Sequence, residues 1–348
     1  MSVRVGANPR RCNLGGHSYC LTGYTQKELE ESFDSFIDTA VAQHIMPTRA
    51  SFLEKIKNYY DGFSFDGQTK VYNPFSILNF FRKYRFSNYW YESGSVTFIE
   101  SYFKNHKIES PETYHLIKMQ AAKLAAREIE EVCPESFLLQ AGYLTIVEYA
   151  DDYLILDYPN QEVLSSLSEM YLTAIYPIPH YNDVGTRLWA CVRAGHIPGI
   201  IAEYNAALAS LPYQDFAQSS STGQAGESFY RSLFLMLLRA CGLQAHGEMP
   251  TCRGRSDVLI VCSERIVVIE FKLARTTGEI AGKWREGEKQ IQASGYLEPY
   301  ATQRLPISSA VFVIDAQKRQ IVADRPRLEQ TPNSSAQQAD TLKEPWQS

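Results

Sequence analysis

Two short, nearly continuous apolar runs late in the chain set the strongest limit on its fold. Residues 256–261 read SDVLIV and residues 266–272 read IVVIEFK, with Cys262-Ser263-Glu264-Arg265 between them. Runs this short and this rich in β-branched residues are expected to be buried strands, and so tight a connection pairs them as an antiparallel hairpin. Side chains alternate along a strand, so Glu270 and Lys272 share one face while Phe271 points the other way. Asp257, at the start of one strand, then lies across from Glu270 and Lys272 at the end of the next. Two carboxylates and a lysine converge inside an apolar sheet.

That grouping has a specific chemical use. A hard divalent cation such as Mg²⁺ (or Mn²⁺) takes oxygen ligands, commonly one or two carboxylates with water and phosphate oxygens in the remaining positions. Asp257 and Glu270 are therefore the expected metal ligands. Lys272 is placed to orient a water acidified by the metal and to offset negative charge developing on a phosphodiester. The competing reading of Glu270 and Lys272 is a solvent-facing ion pair, and Asp257 weighs against it.

Composition limits the remaining function classes. The chain has 348 residues, 45% of them hydrophobic, enough for two or three packed cores. Its 34 Lys and Arg against 39 Asp and Glu leave a net charge of −5, so contact with nucleic acid must come from a local patch. Seven cysteines without any C-x-x-C pair argue against a disulfide framework or a zinc ribbon and for a reducing, cytoplasmic setting. The seven histidines show no metal-ligand spacing. The first residues lack the apolar core of a signal peptide, and the apolar stretch at 233–238 stops at Arg239, so no membrane span is expected.

The rest of the chain divides by texture. Residues 1–22 read as an irregular start and 23–180 as a mostly helical region. In it, Thr25-Gln26-Lys27-Glu28 has capping-box spacing and Asn73-Pro74 an N-cap before a first-turn proline. A helix near 136–140 followed by strands at 143–149 and 153–157 resembles a winged helix. Residues 181–220 read as a helical linker ending in a Ser/Thr/Gly run, 221–324 as an α-β-β-β-α-β core, and 325–348 as a disordered tail. The expected class is α+β. The many aromatics between 59 and 103 suit either core packing or base stacking, with packing favoured by their helical spacing.

Asp257, twelve intervening residues, then Glu270-Phe271-Lys272 resembles the PD-(D/E)XK nuclease superfamily. The wider set from Gly226-Glu227 through Arg253-Gly254-Arg255-Ser256-Asp257 to Gln290 and Gly295-Tyr296 is similar to a bacterial branch in which the nuclease-like domain follows an AAA-type ATPase-like domain. The resemblance adds Glu227 and Gln290 as supporting site residues. The motifs at 59–63, 71–76, 86–90 and 140–144 are similar to the region after the ATPase in that branch. No phosphate-binding loop accompanies them, because Gly278-Glu279-Ile280-Ala281-Gly282-Lys283-Trp284 has the wrong spacing and Trp where a hydroxyl belongs. ATP hydrolysis is therefore not expected of this sequence, and an ATPase module, separate or missing, is the partner the resemblance implies.

The resemblance implies Mg²⁺-dependent cleavage of nucleic acid, DNA or RNA, with DNA the expected partner. Arg253, Arg255 and Lys283 are the candidate phosphate contacts, against the alternative of a balanced surface facing Glu279, Glu286 and Glu288. The alternative function is a nucleic-acid or protein interaction module that keeps the fold without efficient catalysis.

Overall fold

The computed structural model describes residues 23–93, 99–103, 110–125, 133–176, 178, 181–212, 225–251, 254–293, 295 and 305–322. Residues 1–22, the run at 217–224, Arg253, Tyr296 and the tail from 325 therefore lie outside the described residues. The chain forms two compact units, Met1–Ala174 and Ile175–Ser348. Among the described residues, no helix is long and apolar enough to cross a membrane.

In the first unit the capping signals act where the sequence places them. Thr25 accepts a hydrogen bond from the Glu28 amide, and the Glu28 carboxylate accepts from the Thr25 amide, opening α1 (Gln26–Ser32). The single helix suggested by the apolar spacing from Leu29 onward is interrupted at Phe33, and α2 (Asp34–Ala42) follows. α3 (Arg49–Tyr60) and α4 (Pro74–Lys83) complete the layer, with Asn73 accepting from the Phe75 and Ser76 amides. Phe33 stacks on Phe81 at 4.6 Å, and Phe52 packs on Phe80 at 5.7 Å. Tyr59, Tyr60, Tyr72 and Tyr89 are buried in the same core, so these aromatics are used for packing.

α5 (Pro134–Gln140) precedes β2 (Thr145–Ala150) and β3 (Tyr153–Asp157), and α6 (Gln161–Ala174) follows. The hairpin gains a third strand that sequence reading missed, β1 (Ile117–Gln120), in the order β1-β3-β2. Four residues reading IKMQ give too little alternation to announce a strand. Gly62 joins the helical layer to the Pro159 segment: its φ is +116°, and a Cβ there would overlap the Pro159 carbonyl oxygen.

The second unit is built on a five-stranded sheet in the order β4-β5-β6-β7-β8. Its strands are β4 (Gln244–Thr251), β5 (Gly254–Val261), β6 (Ile266–Ala274), β7 (Ile307–Asp315) and β8 (Gln320–Val322). β6 and β7 run parallel and the other neighbours antiparallel. Such a pairing needs a crossover, here containing α10 (Ile280–Ala293). α9 (Glu227–Ala240) precedes the sheet, so the order α-β-β-β-α-β is present with β8 added at the edge.

The helices read from sequence as a linker, α7 (Tyr181–Ala194) and α8 (Ile197–Ala209), belong to this unit. Gly195, at φ +67°, ends the first of them and so divides what the spacing suggested as one helix. Tyr204 of α8 packs on Phe234 at 4.8 Å. The Asn205 amide also bridges Ile321 of the edge strand: Nδ2 donates to its carbonyl and Oδ1 accepts from its amide, both at 2.8 Å. This occupies edge groups otherwise open to another strand.

β6 has two differently used faces. Phe271 packs with Phe234 at 5.8 Å and with Phe312 at 5.5 Å. On the opposite face Val268, Leu259, Val311 and Ile291 of α10 form a second apolar cluster.

Two stability outcomes follow from these contacts. Phe234→Ala leaves a void among three aromatic rings and should destabilise the second unit by about 3–5 kcal/mol in urea unfolding; a loss below about 1 kcal/mol would show that the cluster is not a tight core. Gly62→Ala should cost more than about 1 kcal/mol, through both its φ and the Pro159 overlap. An unchanged unfolding midpoint would contradict that packing.

Candidate active site

The site begins where a strand pair comes apart. β5 and β6 pair from Val261–Ile266 to Val258–Ile269, while β6 continues beside β7 as far as Ala274–Asp315. Beyond Ile269, amides of β6 that face the departing β5 need other acceptors. The Phe271 amide donates to Asp257 Oδ2 at 2.8 Å, and the Leu273 amide donates to Glu227 Oε2 at 3.0 Å. Both carboxylates are thereby drawn to the strand that carries Glu270 and Lys272.

Glu270 is fully buried, and the Lys272 Nζ donates to its Oε1 at 2.6 Å. The other oxygen, Oε2, is buried with no hydrogen-bond partner. Burial first, and the negative charge of Asp257 second, raise the Glu270 carboxyl above the ordinary carboxylate range, while Lys272 pulls it back. Burial alone would lower the Lys272 ammonium. Glu270, then Glu227 and Asp257, outweigh that effect and hold it above its usual value.

Two residues that the sequence reading did not single out complete the cluster. Arg231 lies one turn after Glu227 on α9 and forks across two carboxylates, with Nη1 2.8 Å from Asp257 Oδ1 and Nη2 2.6 Å from Glu248 Oε1. Glu248 also receives Arg255 Nη1 at 2.9 Å. The four-residue spacing of Glu227 and Arg231 was a usable signal for Arg231. Nothing in the sequence near Glu248 pointed to it.

The other candidates have more peripheral settings. Gln290 is half-buried on α10, and Lys283, on the same helix, pairs with Glu286 at 2.8 Å. Glu286 in turn feels the charge of Lys272, which places this part of α10 within electrostatic reach of the site. Arg255 is exposed.

The donor set fits a hard divalent cation such as Mg²⁺ or Mn²⁺. Glu270 Oε2 is an uncommitted buried acceptor, the Asp257 carboxylate acts on it directly, and two carboxylates with open positions for water and phosphate are this ion's usual complement. Among the described residues no group of three His, Cys, Asp or Glu side chains is placed to hold a metal, so an all-protein cage is not formed by them.

Comparison with known proteins assigns a family to this segment. Residues 225–324 match the family model described as PD-(D/E)XK nuclease superfamily, which makes this segment a domain of that superfamily. The chain is also 30% identical over 260 residues to a protein of Azotobacter chroococcum mcd 1 described as "Uncharacterized protein in vnfD 5'region", an alignment covering 73% of this chain and 48% of that protein. The chain thus spans about half the length of this curated relative. No solved structure matches.

Glu227 gives a pH-dependent test of the electrostatics. Burial, the larger influence, raises its carboxyl and Asp257 adds to this, while Lys272 and the Leu273 amide act in the other direction. A carboxyl whose folded pKa exceeds its unfolded one contributes nothing at low pH, where both states are protonated. It weakens the fold increasingly as pH rises through the folded pKa. Glu227→Gln keeps an oxygen for the Leu273 amide and removes the charge. The variant should be more stable than the wild type in urea at about pH 7, with the difference vanishing near about pH 4. A variant less stable at neutral pH, or a gap independent of pH, would contradict the assigned shift.

Proposed function

We propose that the PD-(D/E)XK superfamily domain of residues 225–324 is a divalent-metal-dependent nuclease that hydrolyses phosphodiester bonds, with DNA as its substrate. The observation that carries this reading is the buried, unpartnered Glu270 Oε2, set beside Asp257 and with Lys272 on the neighbouring oxygen. Mg²⁺ or Mn²⁺ would be held by Asp257 and Glu270, and when bound would supply Lewis-acid polarisation of the phosphate and an acidified water.

The protein's own groups do the positioning. Lys272 gives one of its three N–H bonds to Glu270 and keeps two for an attacking water and a phosphate oxygen. Glu227 fixes the β6 backbone at Leu273, holding Lys272 in register, and Gln290 of α10 would be a supporting residue by the motif resemblance. Arg253, Arg255 and Lys283 would receive the phosphate backbone.

Charge balance supports the same reading. Glu227, Glu248, Asp257 and Glu270 face Lys272, Arg231 and Arg255, so the cluster is formally short of one positive charge. A divalent cation reverses that sign, and the single charge of a phosphodiester then neutralises it. An ATPase partner for the first unit belongs to the same reading and rests on the motif resemblance alone. A cytoplasmic setting rests on the cysteine pattern; Cys133, Cys191, Cys241 and Cys262 are free thiols.

The deciding experiment is cleavage of plasmid, linear duplex, single-stranded DNA and RNA with Mg²⁺ or Mn²⁺. Glu270→Ala should abolish cleavage, and Lys272→Ala should lower it by about 10²–10³-fold or more, both with folding retained by circular dichroism. Cleavage by both variants at the wild-type rate would reject the site. A folded wild type that neither cleaves nor binds Mn²⁺ would reject the nuclease reading in favour of an interaction module.

A further inference from the structure

The structure assigns Arg231 and Glu248 a role that the nuclease reading does not require: we infer that they are a positioning pair that fixes the Asp257 carboxylate for metal binding. The inference rests on the metal reading above. It starts from how the two oxygens of Asp257 are divided. Oδ2 is tied to the amide of the peptide joining Glu270 to Phe271, while Oδ1 is taken by Arg231. The arginine therefore sits on the oxygen away from the Glu270 peptide. Hydrogen bonds to its two oxygens fix the plane of the Asp257 carboxylate from both ends, beside the Glu270 carboxyl on which it acts.

Glu248 holds the other tine of the fork. Flanking it, β4 pairs with β5 through Gly247–Val258 and Met249–Ser256, so Glu248 and Asp257 stand opposite each other where the ladder skips. Glu248 has φ +50°, a left-handed conformation that is strained for a glutamate within a strand. The strain accompanies a defined result: its carboxylate meets Arg231 Nη2 and Arg255 Nη1. Arg231 itself is only 18% exposed, and Asp257, Glu248 and Glu227 all favour its charged form. A guanidinium locked between two acceptors has little freedom to release Asp257. This is the arrangement in which an outer group orients a metal ligand rather than displacing the metal.

A charge-conserving substitution separates orientation from simple electrostatics. Arg231→Lys keeps the positive charge, but one ammonium cannot reproduce a planar fork across two carboxylates. In the full chain, Mn²⁺ titrations read by electron paramagnetic resonance should show binding about tenfold weaker than wild type. Glu248→Ala, which leaves Arg231 in place without its second anchor, should weaken Mn²⁺ binding by about threefold or more. The half-saturating Mn²⁺ for cleavage should rise in both variants while kcat at saturating Mn²⁺ is retained, a split that general loss of structure would not produce.

If the wild type binds Mn²⁺ and Arg231→Lys binds it within twofold, or more tightly, the positioning role is overturned. Should Arg231→Lys fail to fold, unchanged binding by Glu248→Ala overturns it instead. A folded wild type that binds no Mn²⁺ removes the metal reading and this inference together.

Discussion

The second unit depends on how the β6 backbone is satisfied after β5 leaves it. A strand inside a protein must find acceptors for its amides, because a buried, unpaired N–H costs about as much as the hydrogen bond it lacks. β5 supplies them as far as Ile269. From there the acceptors are side-chain carboxylates, Asp257 for Phe271 and Glu227 for Leu273. The candidate chemistry is a consequence of that substitution. Acceptors that carry charge bring negative potential into a dry region, and Lys272 and Arg231 balance it there.

The alternation of β6 then separates stability from reactivity within one strand. Phe271 meets Phe234 and Phe312 on one face, while Glu270 and Lys272 occupy the other beyond the cluster of Val268, Val311 and Ile291. Because the parallel partner β7 runs alongside β6 through Ala274, the backbone beneath Glu270 and Lys272 is held on that side throughout. Rigid support on one edge and an opening on the other let charged groups be positioned closely without a loop.

Much of this was legible in the sequence because it is local. Period-2 alternation placed Glu270 and Lys272 on one face, and the short connection set Asp257 opposite them. Thr25 and Asn73 announced helix starts through side chains that cap amides two or three residues away. What escaped depended on contacts between distant segments. Glu248 reaches the site through a left-handed residue and an arginine seventeen positions earlier in the chain, and no window of sequence contains that relation. The helices over 181–209 lie before a Ser/Thr/Gly run that resembles a boundary, yet Asn205 and Tyr204 pack with Ile321 and Phe234 in the second unit. Composition marks where a chain changes texture, whereas packing decides which unit an element joins.

The arrangement around Glu270 is poorly explained as an ion pair alone. Lys272 needs only one buried carboxylate, and that requirement is met at Glu270 Oε1. Adding Asp257 beside the same carboxyl opposes its ionisation, both by like charge and by the hydrogen bond the pair shares when Glu270 is protonated. Leaving Glu270 Oε2 buried and without a hydrogen bond adds a further cost of about 1–3 kcal/mol. A divalent cation between Asp257 and Glu270 would relieve both terms at once, by giving the free oxygen a ligand and turning the repulsion between carboxylates into shared attraction. Lys272 and Arg231 hold these acids in place, and in the proposed reading a divalent cation takes up the interaction left between Asp257 and Glu270.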